Sequence, residues 1–178
     1  KAVIVDQLAL TDPNPGFVQR ATRLLTDAGY LVDYFDPQAV SVDFYGNLPE
    51  GDYELILIRS HSSQQRNAVG EVGALTQRDD VALFTNELYS TTTHVDDQLR
   101  ARLGIGSYPE RGIAAKFFVI DPAFVMKSMR GRFHGSTVIL MGCGGLSSDS
   151  MAKAFIARGA SAFVSWNDKL TANHTDLA

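Results

Sequence analysis

Apolar residues fall into short unbroken runs at residues 2–5 (Ala-Val-Ile-Val), 55–58 (Leu-Ile-Leu-Ile) and 138–141 (Val-Ile-Leu-Met), and a nearly unbroken one at 162–166. Short apolar runs bounded by turn residues predict buried strands of the kind found in parallel sheets. Residues 31–35 alternate apolar and polar and predict another strand. Between the runs the period changes. Phe17, Ala21, Leu24, Leu25 and Ala28 recur at helical spacing between Pro15 and Gly29, which predicts a helix over 15–28. Met151, Ala154, Phe155 and Ala157 do the same ahead of Gly159, for a helix beginning near Ser147 or Asp149. Phe44, Tyr45 and Leu48 mark a short helix or turn. Strands alternating with helices call for parallel pairing and right-handed crossovers. The expected fold is therefore a three-layer α/β/α sandwich, mostly parallel, with strand order close to 2-1-3-4-5.

Residues 63–135 break this rhythm. They are too long for a simple connection and carry their own hydrophobic residues, so they read as an insertion over the active edge of the sheet. Within them, 81–84 and 88–92 suggest a hairpin around Asn86, 96–103 a short helix and 104–112 a loop. Residues 117–120 form another apolar run, and 122–129 suggest one more short helix.

Composition narrows the class. The chain has 178 residues, 45% of them hydrophobic, enough for one domain spanning 1–178 with a sizeable core. Its net charge of −4 comes with no basic stripe, which argues against nucleic acid as a partner. No apolar stretch approaches the roughly 18 residues of a membrane span. A soluble protein is expected, with the cytoplasm slightly favoured. One cysteine leaves no internal disulfide and no multi-thiolate cluster, and no histidine pair has metal-ligand spacing, so neither metal nor cofactor is expected. A first residue that is not methionine and a last one inside a helical pattern suggest removed or missing flanks, which could be regulatory.

That cysteine, Cys143, stands in Gly142-Cys143-Gly144-Gly145 just past the run 138–141, and His61 stands just past 55–58. Strands of a parallel sheet point the same way, so both side chains emerge on one edge, where α/β proteins place their chemistry. A helix starting after Cys143 would favour its thiolate. A thiol nucleophile and an imidazole able to protonate a leaving group are a chemical minimum for acyl transfer. Backbone N–H groups at Ser62 and Cys143 could hold the oxyanion. The plainer alternatives are a buried structural cysteine and a polar edge histidine. His94 and His134 read as surface residues.

The succession of apolar strand, Ser-His-Ser, long insertion, VILMGCGG, helix and MAKAFIARGASAFVSWND resembles the caspase-fold (clan CD) cysteine peptidases over residues 55–176. It is most similar to separases and CHAT-domain peptidases. The resemblance implies a cysteine endopeptidase acting on a peptide or protein substrate through a Cys143 thioester, with His61 as general acid. It also implies an S1 pocket lined by the segment after residues 162–166. There Asp168 would be the floor for a P1 Arg or Lys, which is weakly favoured, and Trp166 a wall; a solvated loop aspartate is the alternative. Two positions depart from the pattern. Ser62 stands where glycine is usual, and Met141 where clostripain-like members are often acidic. Arg111 and Lys116, in the insertion, would be self-processing sites.

Two other functions remain. A glutamine-amidotransferase-like thiol hydrolase would place its histidine after the cysteine, and His174 with Asp176 resembles such a base with its orienter. A non-catalytic caspase-like or flavodoxin-like binding module would need no reactive thiol.

Overall fold

The computed structural model describes residues 1–66, 79–168 and 171–177; residues 67–78 of the expected insertion lie outside them. The fold is α/β. A five-stranded sheet in the order β2-β1-β3-β8-β9 is joined by a four-stranded sheet, β4-β5-β7-β6. The first comprises β1 (Ala2–Asp6), β2 (Val32–Phe35), β3 (Leu55–Arg59), β8 (Thr137–Leu140) and β9 (Ala162–Ser165). Every pairing in it is parallel. Counted among its own strands, this order is the 2-1-3-4-5 that the apolar runs predict.

Local chemistry sets the helices. Helix α1 (Pro15–Asp27) starts on proline, and the Asn14 side chain accepts the Phe17 N–H at 3.0 Å. It packs against β1 and β2. Helix α2 (Val42–Asn47) is capped by Ser41, whose hydroxyl accepts the Phe44 N–H at 3.1 Å. Helices α4 (Pro122–Lys127) and α5 (Ser150–Ala157) pack on each other and carry Phe124, Val125, Met151 and Phe155 into the main core. There they meet Val3, Val5, Ile56, Ile58, Val138 and Leu140 from one face of the parallel sheet.

The insertion differs from its sequence reading. In place of a hairpin around Asn86, a single strand β5 (Asp79–Leu88) runs through, flanked by β4 (Ser62–Arg66) and β7 (Ile113–Ile120). Asn86 makes no turn because tertiary partners use its polar groups. Its amide donates to the Gln7 and Pro37 carbonyls, its side-chain oxygen accepts from Gln7 Nε2, and its N–H reaches Val40 O. Most of the expected loop 104–112 is strand β6 (Leu103–Tyr108), and only Val95–Leu99 (α3) is helical in the preceding segment. Gly106 is required in β6, since a Cβ there would run into the Phe84 ring and Val119.

The antiparallel sheet uses both faces. Val81, Leu83, Phe118 and Ile120 extend the main core, while Ala82, Phe84, Tyr108, Phe117 and Val119 form a second cluster on the other side. That second cluster supports the histidine of the site.

Candidate active site

Register brings His61 and Cys143 to one place. Ile58 of β3 pairs with Leu140 of β8, and each candidate lies three residues beyond its member of that rung. Both line a cleft of about 340 Å³ together with Leu8, Asp12, Ser60 and Met141. The two turns are bonded directly, because the Ser62 hydroxyl donates to the Cys143 carbonyl at 2.7 Å. Gly142 permits this approach. A Cβ there would sit 2.6 Å from Ser62 Oγ and 2.7 Å from the Ser60 carbonyl oxygen. Cys143 is half-buried, and it sits in its own turn rather than at the first turn of α5, which begins only at Ser150. Helix α5 thus begins where the periodicity predicts, with Asp149 as its N-cap, and six residues separate its first turn from the thiol.

His61 rests on an aromatic shelf, its ring centroid 4.8 Å from that of Tyr108 and 6.0 Å from that of Phe84. Its Nε2 lies 2.6 Å from the Thr11 hydroxyl and 4.0 Å from Asp12 Oδ2. Buried Gln7 anchors the backbone. Its Oε1 accepts from His61 N–H at 2.8 Å and from Ser60 Oγ, while its Nε2 donates to Tyr108 Oη at 2.9 Å.

Ser62 opens β4 with no left-handed φ, so a residue with a side chain sits there without backbone strain. The Phe84 N–H donates to His61 O at 3.1 Å, continuing the β4–β5 ladder by one bond, while the His61 N–H is turned to Gln7 Oε1. Ser62 and Leu83 are then a non-hydrogen-bonded pair, and the Ser62 N–H points away from β5.

Arg59, the last residue of β3, anchors the far wall. Its guanidinium is fully buried and takes both oxygens of Asp176 at 2.7 and 2.8 Å, Asp6 Oδ1 at 2.7 Å and the Asp12 carbonyl at 2.8 Å. The Phe17 ring lies beneath it, 5.6 Å away. Burial opposes its charge, but the hydrogen bonds to Asp176 and Asp6 prevail and hold its pKa above the ordinary value. Asp176 belongs to α6 (Ala172–Leu177), so this contact fixes α6 beside the cleft, where Ala172, Asn173 and Thr175 line it. Asp176 is therefore bound to Arg59, and the His174 ring lies edge-on to Trp166 at 5.8 Å.

Met141 is buried in the cleft wall. Asp168 is exposed and is not among the described residues lining the cleft; its carbonyl accepts the Gly144 N–H at 2.8 Å. Trp166 supports the same turn, its carbonyl accepting the Leu146 N–H at 2.8 Å. Arg111 enters the cleft, whereas Lys116 lies within β7 opposite Ser107, where cleavage would first require the sheet to open. His134 is exposed as expected, but His94 is largely covered, bonded to Glu87 at 2.7 Å and edge-on to Phe118. Among the described residues, no group of three or more His, Cys, Asp or Glu side chains could hold a metal, and no helix is long and apolar enough to cross a membrane.

Gln7, Thr11, Asp12, Arg59 and Tyr108 were not legible as site residues. The one local signal was Arg59, a charge directly abutting a buried apolar run, which must find partners inside the protein. Neither family models, nor curated proteins, nor solved structures give a match to the chain.

Proposed function

We propose that the protein is a cysteine hydrolase that cleaves peptide bonds through a Cys143 thioester, on a caspase-like α/β/α scaffold. The observation that carries this reading is the shared cleft, with His61 and Cys143 equally far beyond one rung of adjacent parallel strands. The Cys143 thiolate attacks the scissile carbonyl, and the N–H groups of Cys143 and Ser62 are the donors for the oxyanion. The tetrahedral adduct collapses, the C–N bond breaks, and the imidazolium of His61 gives its proton to the leaving amine. Water, deprotonated by the same imidazole, then attacks the thioester and releases a carboxylic acid and the thiol. The amidotransferase-like reading loses support because Asp176, its acidic orienter, is committed to Arg59.

The test is turnover of a fluorogenic peptide panel differing only at P1, with Cys143→Ala and His61→Ala as controls. Each variant is expected to lower kcat/KM by about 10³-fold or more, because the pair acts as a unit. Retained turnover in Cys143→Ala would sink the mechanism. Silence across the panel, with Cys143 inert to iodoacetamide at neutral pH, would favour a binding module instead.

A further inference from the structure

The cleft contains a charge pair that hydrolysis does not itself require. Arg111 is the last residue of the short 3-10 turn Pro109–Arg111 between β6 and β7, and it reaches into the cleft. Its Nη2 lies 2.9 Å from Asp12 Oδ2, the same oxygen that stands 4.0 Å from His61 Nε2. The pair is unequal in burial. The Asp12 side chain is 22% exposed and the Arg111 side chain 46%. The carboxylate therefore belongs to the cleft wall, held further by the Thr11 hydroxyl at 3.0 Å, whereas the guanidinium comes in from solvent on a hairpin tip.

We propose that Asp12 is a specificity-determining residue that binds a cationic substrate side chain in the cleft, and that Arg111 is the internal occupant of that position. This rests on the hydrolase reading above and deepens it. A partly exposed ion pair is weak enough to exchange, so Arg111 can leave when a guanidinium or ammonium group of the substrate arrives. Until then it competes with every cation that enters, and apparent affinity falls by the fraction of molecules in which Asp12 is already taken. Asp168, exposed and not among the described residues lining the cleft, is not needed for this preference.

The experiment titrates ethylguanidinium, and the neutral isostere ethylurea, into the ¹⁵N-labelled protein and follows the amides of the cleft. Arg111→Gln is expected to bind ethylguanidinium roughly fivefold more tightly than wild type, with ethylurea binding unchanged. Arg111→Lys, which keeps the charge, is expected to stay near wild type. Asp12→Asn combined with Arg111→Gln should lose the gain. Equal affinity in wild type and Arg111→Gln, an equal gain for ethylurea, or a gain surviving in the double variant would each overturn the proposal. The two single Arg111 variants decide the matter even if Asp12→Asn does not fold. Inertness of Cys143 to iodoacetamide would remove the hydrolase reading and leave this titration readable.

Discussion

Gly142 and Ser62 decide how closely the two strand ends meet, and neither acts through reactive chemistry. Adding one methyl at Gly142 presses on the Ser62 hydroxyl, already bonded to the Cys143 carbonyl, and on the Ser60 carbonyl oxygen. Gly142→Ala is expected to cost about 1–3 kcal/mol by overpacking, read as a lower urea midpoint. It should also lower kcat/KM by more than the few-fold effect of Ser62→Ala, which removes one hydrogen bond worth about 1 kcal/mol. If the two variants were equally active, the approach of the turns would not matter to catalysis. The glycines flanking Cys143 were visible in the sequence, but their purpose was not. They signal a tight turn locally, and only the pairing of β3 with β8 shows what approaches them.

Helix α6 is held through buried Asp176, which bonds Arg59 and also accepts from Asn14 Nδ2 at 2.8 Å. Asp176 supplies two of the four hydrogen bonds to the Arg59 guanidinium, and removing it leaves a buried cation with only Asp6 and the Asp12 carbonyl. Asp176→Ala is expected to cost about 3–5 kcal/mol in urea unfolding, because the desolvation of Arg59 is then less well compensated. Asp176→Asn, which keeps one acceptor, should fall between wild type and alanine. The same contrast separates what was legible from what was not. Parallel strands were readable because burial on both faces leaves continuous apolar runs, and right-handed crossovers then restrict their order. The antiparallel sheet was not readable where it uses Asn86, Gly104 and Gly106, since these residues favour turns locally. Contacts distant in sequence override that preference, through Gln7 at Asn86 and the Phe84 ring at Gly106. The partners of Arg59 were hidden for a similar reason, Asp6 and Asp176 lying at opposite ends of the chain.

Across the whole molecule, both sheets contribute to one main core, and Tyr45 lies in it fully buried with its hydroxyl 3.5 Å from the Phe84 carbonyl. Burial holds its phenol well above the ordinary value near 10 and outweighs a hydrogen bond with Ser60 that acts the other way. Tyr53 is raised mainly by burial and then by its bond to Asp33, and Tyr34 is pushed up to about 12 by burial and the nearby Asp6. A raised folded pKa means that the folded state keeps protons the unfolded chain releases. The corresponding stability is complete below about pH 10 and is lost as pH rises toward the folded values. Alkaline unfolding is therefore expected above about pH 10, with tyrosinate absorbance at 295 nm rising in step with the loss of far-ultraviolet dichroism. Tyr34 is 43% exposed, so its share is reduced by solvent, and Tyr45 is the group expected to govern the midpoint. Tyr45→Phe should move that midpoint upward, because it removes the buried phenol whose ionisation opposes folding. A gradual tyrosinate titration through pH 12 with the dichroism intact would mean that the phenols ionise without opening the shared core, and the two sheets would then be less tightly coupled than their common core requires.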